Sequence, residues 1–242
     1  MAVVLVVGGG MGYTVHLAHV QRDVVALLKS KREYVGYDWE WDGDRPINGR
    51  PWAPDWLIRQ VGIDYFGHVY SVGLNNGTDD LLAQVARLRQ LAGLNAFGAR
   101  ITDDGVAHLR RLPGIESVLL NHTSMTDVGL AHLKGLTRLR HLGLQGARIT
   151  DAGRVNLAAM KRLKFLSLNT TKIGDAGFER LKALPSLKEL GLERTEVTDA
   201  GLVHLKGMRN LKKVWLMSTK VTEAGARELR RARPDVEVEW LP

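Results

Sequence analysis

Apolar and polar positions recur along this chain with a period of 24 residues. The motif TDxG or a close variant follows an apolar residue in each period, and its six copies begin at Ile101, Met125, Ile149, Ile173, Val197 and Val221. A period of this length, with leucines at fixed offsets, is typical of a solenoid whose coils each carry one strand and one helix. Because one coil cannot bury its apolar face alone, we expect the coils to stack on one another.

The unit from Leu187 to Asn210 is the clearest example of one predicted coil. Leucines that alternate with polar residues or glycine predict a short strand, and apolar residues at a spacing of three predict a helix after it. Thr198 and Asp199 lie where this helix should begin, so we expect them to cap it. Gly201 has equivalents at Gly105, Gly129, Gly153, Gly177 and Gly225, although glycine in a helix interior costs about 1 kcal/mol relative to alanine. We therefore expect the backbone of a neighbouring coil to approach closely at this position.

The same register predicts how the chain is organised. Residues 67–241 are predicted to form an α/β, right-handed solenoid of about seven coils, with parallel strands on its concave face and helices on its convex face. Residues 21–66 are predicted to cap the first coil, which otherwise exposes its apolar side. Within this cap the pattern predicts a helix over 21–31, a strand over 34–41 and a short helix over 54–61.

Residues 2–20 contain no Asp, Glu, Lys or Arg and allow three interpretations. Their length suits a membrane-spanning helix. We prefer this anchor, and with it a membrane-associated protein; a cytoplasmic protein is the alternative. The second interpretation is a phosphate-binding glycine turn over 8–12, but Tyr13 stands where its motif requires glycine. The third is a buried or disordered terminus.

The formal charge of +8 is concentrated in the repeats, which contain 27 Lys and Arg residues but only 18 Asp and Glu residues. Two coil positions are basic in coil after coil, so they predict stripes of positive charge. One stripe holds Arg110, Lys134, Lys182, Lys206 and Arg230, and the other holds Arg140, Lys164, Lys188 and Lys212. These stripes are either a solvated convex face or a docking surface for an anionic partner. Nucleic acid is not favoured as that partner, because the sequence contains no recognised nucleic-acid-binding module.

The repeats resemble a known family. The pattern LxxLxLxxTxITDAGLxxLxxL, as in Leu187–Met208, is similar to leucine-rich repeats of the ribonuclease-inhibitor-like type. It is particularly similar to bacterial proteins built from 24-residue TDAGL repeats. In those proteins a hydrophobic segment, a YDW-like strand (here residues 37–39) and a PxWL segment (here residues 54–57) precede the repeats. The resemblance implies a leucine-rich-repeat solenoid that recognises proteins.

The sequence predicts neither an enzyme nor a cofactor. It contains no HExxH motif, no P-loop, no GxSxG motif and no cysteine. His108, His132 and His204 share one helix position, but other coils place asparagine, arginine and glutamate there, so the position is interpreted as exposed and polar rather than metal-binding. The acidic residue that recurs in the TDxG motif is better explained by helix capping than by calcium.

The outward strand positions are the predicted binding surface. They line the concave sheet and vary from coil to coil, while the core positions repeat. Apolar residues such as Trp215 stand here where solvent is expected, and tryptophan is favoured in binding hot spots. The alternative for Trp215 is packing against Met217 and the terminal strand near Trp240. The predicted partner-binding residues are Phe97, Leu119, Asn121, His141, Phe165, Asn169, Glu189, Glu193, Lys213, Trp215 and Met217.

The sequence therefore predicts a non-enzymatic module or scaffold that binds a protein partner through its concave face. Small residues at Gly143, Ser167 and Gly191 are expected to leave room there for the partner's side chains. The alternative is an adaptor that docks on an anionic surface or polymer through the basic convex stripes. The pattern indicates no particular partner, no side of a membrane and no oligomeric state.

Overall fold

A computed structural model describes residues 10–42, 45–46, 49–51, 53–65 and 67–242 of the chain. The helices are α1 Gly10–Ser30, α2 Asp55–Val61, α3 Asp79–Val85, α4 Asp103–Ala107, α5 Asp127–Leu133, α6 Arg154–Leu157, α7 Asp175–Leu181, α8 Leu202–Lys206 and α9 Glu223–Ala232. The strands are β1 Tyr34–Tyr37, β2 Trp41–Asp42, β3 Arg45–Pro46, β4 Val69–Gly73, β5 Gly93–Asn95, β6 Ser117–Leu119, β7 His141–Gly143, β8 Phe165–Ser167, β9 Glu189–Gly191, β10 Lys213–Trp215 and β11 Glu237–Glu239.

One sheet runs the length of the described chain in the order β1-β4-β5-β6-β7-β8-β9-β10-β11. β1 is antiparallel to β4, and every later pair of neighbours is parallel. The register is constant, because the aligned residues Leu142, Leu166, Leu190 and Val214 are each 24 positions apart. A helix follows each strand from β4 to β10, and β11 closes the sheet. The predicted α/β solenoid is therefore confirmed.

A single apolar core extends through all the coils, because each coil turns the same positions inward. In the coil that begins at Leu187, the side chains of Leu190, Leu192, Leu202 and Leu205 are all buried and belong to this core. Fully burying one leucine contributes roughly 1.5–3 kcal/mol. The stability of the solenoid is thus a sum over stacked neighbours rather than the property of any one coil.

An aspartate–threonine ladder joins successive coils near the start of most repeat helices; before α7, Gly174 replaces the threonine and its N–H donates to Asp151 (2.8 Å). The Asp175 carboxylate accepts hydrogen bonds from the backbone N–H (2.9 Å) and the hydroxyl (2.6 Å) of Thr198 in the next coil. The Thr198 hydroxyl also accepts a hydrogen bond from the N–H of Ala200 (3.2 Å) in the turn that precedes α8, whose N-cap is Gly201. Equivalent pairs are Asp79–Thr102, Asp103–Thr126, Asp127–Thr150 and Asp199–Thr222. A threonine caps α3, α4, α5 and α9, but the cap expected from Thr198 on α8 is wrong. The aspartate is a bridge between coils.

This ladder also explains the glycine that recurs inside the helices. A Cβ atom on Gly201 would lie 2.4 Å from Oδ1 of Asp175, so no other residue fits without moving the carboxylate. The predicted close approach exists, but the neighbour is a side chain and not the backbone. The first coil carries Leu81 at this position, and the strand of that coil pairs on its outer side with the antiparallel strand β1 and not with another coil. In the last coil Glu223 replaces the aspartate and pairs with Arg227.

Helix α1 is longer than the helix predicted over residues 21–31, and it runs across the boundary expected at residue 20. Ala18, Val24, Val25 and Leu28 are buried along one side of α1. The Gln21 amide donates to the carbonyl of Gly67 (2.9 Å) and accepts from the N–H of Val69 (3.1 Å), which ties the helix to the first coil. Gly10 and Gly12 therefore lie in a helix and not in a glycine turn.

No helix among the described residues combines the length and the apolar character that a membrane span requires. This finding does not support the membrane anchor predicted over residues 2–20. Residues 2–9 of that stretch lie outside the described residues. The rest begins α1, which continues through the charged residues Arg22 and Asp23.

The strand predicted over residues 34–41 is interrupted. β1 ends at Tyr37, and a 3-10 turn over 38–40 leads to β2. The Glu40 carboxylate accepts a hydrogen bond from the N–H of Tyr37 (2.9 Å), and the N–H of Asp38 donates to the carbonyl of His68 (3.0 Å). The short helix predicted over residues 54–61 is present as α2.

Buried polar side chains close both ends of the solenoid. At the first coil, the Glu33 carboxylate accepts from the N–H groups of Asn75 (2.6 Å) and Asn76 (3.1 Å). At the last coil, the Arg233 guanidinium donates to the carbonyls of Leu205 (3.1 Å) and Met208 (3.0 Å), which no further coil covers. Backbone groups that repeating coils satisfy for one another are thus satisfied by side chains at the ends.

Replacing Asp103 by alanine should destabilise the protein, because the Asp103 carboxylate accepts from Thr126 and from the N–H of Gly129 (2.8 Å). Leaving such donors without a partner costs about 2–3 kcal/mol in total. Denaturant unfolding would measure the loss. The control is Asp104→Ala at the exposed neighbour in the same helix turn, for which we expect a loss below about 1 kcal/mol. Equal losses in the two variants would contradict the role of the ladder.

Gly201→Ala should also destabilise, by about 1–3 kcal/mol, because the added methyl group displaces the Asp175 carboxylate. Gly135→Ala is the matched control, since a Cβ atom at Gly135 has no neighbour within 4 Å. We expect that control to be neutral or slightly stabilising, because alanine restricts the unfolded chain more than glycine does. Melting temperatures of the two variants test the difference, and a stable Gly201→Ala protein would argue against the close contact.

Candidate binding surface

The outward side chains of the sheet form three rows that cross the strands. The first row holds Gly93, Ser117, His141, Phe165, Glu189, Lys213 and Glu237. The second holds Asn95, Leu119, Gly143, Ser167, Gly191, Trp215 and Glu239. The third lies just beyond the strands and holds Phe97, Asn121, Gln145, Asn169, Glu193 and Met217. All eleven residues predicted to bind a partner lie in these rows, so the fold brings them onto one face.

Apolar and aromatic side chains are accessible on this face. Phe97 is 56 % exposed and meets the His122 ring edge-on, with 5.1 Å between the ring centroids. The rings of His141 and Phe165 lie 6.5 Å apart on neighbouring strands. Phe165 and Trp215 are half-buried. Such side chains are unusual on a solvated sheet and are the residues on which protein interfaces depend most.

A cavity of about 590 Å³ lies at the end of the face nearest to β1; we call it the cap cavity. Residues of β4 to β6 line it, including Gly73 and Gly93, which have no side chain, and Leu119 and His141 line its far end. Tyr34 of β1 lines its near end and is 53 % exposed. The repeat pattern did not indicate Tyr34, because β1 pairs antiparallel to β4 and lies outside the 24-residue register.

A second cavity, of about 320 Å³, lies between β6 and β10; we call it the aromatic cavity. It is lined by Phe165 and Trp215, by the carboxylate-bearing Glu193, and by small residues between them. Six of the eleven predicted residues meet here: Leu119, Asn121, Phe165, Asn169, Glu193 and Trp215. Residues that are far apart in sequence thus surround one space.

Asparagine side chains occupy part of the room that was expected above Gly143 and Gly191. A Cβ atom on Gly191 would lie 2.6 Å from Oδ1 of Asn169, and one on Gly143 would lie 2.8 Å from Oδ1 of Asn121. The Asn169 carboxamide accepts from the N–H of Glu193 (3.0 Å), and its amide donates to the Glu193 carboxylate (3.0 Å). The glycines therefore make room for these amides first, and Asn169 orients Glu193 beside the cavity.

Lys213 links Trp215 to the terminal strand. Its ammonium group lies 4.9 Å from the centre of a Trp215 ring, donates to Glu237 (2.9 Å) and pairs with Glu239. Hydrogen bonds to Glu239 and Glu237 raise the pKa of Lys213, and the bond from Lys213 holds the pKa of the Glu239 carboxyl below its usual range. The Trp240 indole donates to the carbonyl of Val221 (2.9 Å). Trp240 thus packs against the core, whereas the Trp215 indole donates a hydrogen bond to the Glu239 carboxylate of the terminal strand, in partial agreement with the packing considered for Trp215.

The basic convex stripes are partly neutralised by acidic residues of neighbouring coils. Lys206 pairs with Glu228 at 2.7 Å, Lys212 with Asp235 at 3.3 Å, and Arg140 with Glu116 at 3.5 Å. Within the described residues, no group of three or more histidine and carboxylate side chains is arranged to hold a metal ion. The concave face is therefore a better candidate for the binding surface than the convex side.

This fold is a leucine-rich-repeat solenoid, and solved structures share it. A leucine-rich-repeat protein from Leptospira interrogans is 18 % identical with a TM-score of 0.51, and the match covers 65 % of this chain and 45 % of that protein. Internalin C2 from Listeria monocytogenes is 19 % identical with a TM-score of 0.51, and the match covers 75 % and 84 % of the two chains. The chain thus matches less than half the length of the Leptospira protein. A scan against protein families and a search of curated proteins found no match.

Trp215→Ala should leave the fold intact, because Trp215 projects from the concave face while Leu216, the next residue, lies fully in the core. We expect a loss below about 1 kcal/mol for Trp215→Ala and about 2–5 kcal/mol for Leu216→Ala. Denaturant unfolding of both variants would measure the contrast. A large loss in Trp215→Ala would make Trp215 a structural residue of the last coils.

Proposed function

We propose that this chain is a non-enzymatic recognition module or scaffold that binds a protein partner through its concave face. The observation that carries the proposal is the continuous outward grid, on which aromatic, apolar and charged side chains vary from coil to coil above a uniform leucine core. A fixed scaffold with a variable surface is how repeat proteins present extended binding faces. The candidate contact residues are the eleven residues predicted from the sequence, with Tyr34 added by the cap cavity.

We further infer that the repeats are of the ribonuclease-inhibitor-like type and that residues 21–66 cap the solenoid. α-Helices in successive coils support the first point. The bonds of Gln21 and Glu33 to the first coil support the second. In this arrangement the cap protects the apolar end of the core and contributes Tyr34 to the binding face.

An adaptor that docks through the convex stripes is the competing function. The ion pairs of Lys206, Lys212 and Arg140 weigh against it, because a paired cation offers less attraction to an external anion. Exposed pairs of this kind contribute about 0–1 kcal/mol each to stability, so keeping the surface solvated is a sufficient role for them.

Affinity capture from a lysate of the source cell with the full chain as bait, followed by mass spectrometry, should identify proteins that Trp215→Ala and Phe165→Ala fail to retain. Replacing a hot-spot tryptophan should weaken binding by about 2 kcal/mol or more, mainly through faster dissociation. The control combines Lys134→Glu and Lys188→Glu, one from each convex stripe, and should retain the same proteins. Loss of binding in this control with retention in the concave variants would transfer the site to the convex side.

A further inference from the structure

We propose that the aromatic cavity binds a basic side chain, arginine or lysine, from an exposed segment of the protein partner. This inference rests on the proposed function and specifies the chemistry of one contact within it. Three independent features carry it: a carboxylate without a cation, an aromatic ring with a free side, and a local charge opposite to that of the whole chain.

The first feature is the Glu193 carboxylate. The Asn169 amide that donates a hydrogen bond to this carboxylate (3.0 Å) is uncharged. No lysine, arginine or histidine in the part of the chain that the structure describes lies within ion-pair distance of the Glu193 carboxylate. Glu193 is half-buried, so water solvates its charge less than that of a fully exposed carboxylate. A carboxylate that is held in position by an amide and lacks a cation is suited to accept hydrogen bonds from a guanidinium or ammonium group.

The second feature is the Trp215 ring, which already contacts one cation. Lys213 approaches the ring, and its ammonium group is bonded to Glu237 and Glu239, which lie on the β11 side. The aromatic cavity lies on the β9 side, and Trp215 is part of its lining. A cation over an aromatic face is attracted by the ring quadrupole, and arginine is the commoner partner. Phe165 on β8, two strands away from Trp215, provides a second aromatic surface against which the aliphatic part of such a side chain can pack.

The third feature is the charge of the surrounding surface. Outward positions on β9 to β11 and the adjoining third row carry Glu189, Glu193, Glu237 and Glu239 against the single cation Lys213. Like Glu193, Glu189 has no ion pair among the described residues. This patch is therefore acidic on a chain whose formal charge is +8. Charge complementarity of this kind favours a basic segment and repels an acidic one.

Selection of random dodecapeptides displayed on phage against the immobilised full chain, with counter-selection on Trp215→Ala, tests the inference without knowledge of the natural partner. Peptides that require Trp215 should contain arginine or lysine at one recurring position. A synthetic peptide in which citrulline replaces that arginine, or norleucine that lysine, should bind at least tenfold more weakly. Glu193→Gln keeps the shape of the side chain and removes its charge, so this variant should also bind at least tenfold more weakly.

Glu196→Gln is the matched control, because Glu196 is an exposed carboxylate of the same coil that pairs with Lys220 away from the cavity. The affinity of Glu196→Gln for the selected peptides should stay within twofold of that of the unmodified chain. Trp215-dependent peptides that lack a basic residue, or that bind Glu193→Gln equally well, would overturn this inference and leave the concave binding face standing. If no peptide depends on Trp215, the result counts against both the inference and the proposed function.

Discussion

The bridge between the aspartate of one coil and the threonine of the next is the contact on which the solenoid depends. Its carboxylate accepts two or three hydrogen bonds from the following helix start, so it specifies the distance and the register between coils. The leucine core supplies most of the free energy, but burial of apolar area is not directional. The hydrogen bonds of the aspartate carboxylates are directional and recur at the same position of successive coils, so they make the coils stack with a regular spacing. The recurrent glycine at the start of the next helix is part of the same contact, because the carboxylate occupies the space that a Cβ atom on this glycine would need.

Since stability resides in the core and the ladder, the outward strand positions are free to vary. His141, Phe165, Glu189 and Lys213 occupy one row on four neighbouring strands and have little chemistry in common. None of them is needed to hold the register, which the inward residues and the backbone bonds maintain. A surface of this kind can acquire an aromatic cavity and an acidic patch without any change to the fold. The core and the proposed binding surface are therefore formed by alternate residues of the same strands.

The ends of the solenoid follow from the same constraint. An internal coil receives its neighbours' hydrogen bonds and apolar contacts on both sides, whereas a terminal coil lacks one side. At the first coil, α1 and the antiparallel strand β1 provide the missing contacts, and Glu33 binds backbone N–H groups there. At the last coil, Arg233 binds the carbonyls that another coil would cover. One consequence is that β1 brings Tyr34 to the edge of the concave face.

The sequence by itself determined the period, the inward register and the set of outward residues, because a repeat of 24 imposes the same environment on equivalent positions in every coil. It therefore predicted that Leu190 and Leu192 are buried and that Trp215 projects outward. Only the tertiary structure decided which atoms meet between coils. The partner of Asp175 is 23 residues away, and Asn169 fills space over Gly191, neither of which periodicity reveals. The segment before the repeats lies outside the 24-residue register, so the extent of α1, the end of β1 at Tyr37 and the cavity beside Tyr34 depend on contacts with the first coil. Periodicity determines the environment of a residue, whereas contacts between coils and with the preceding segment depend on how the chain packs in three dimensions.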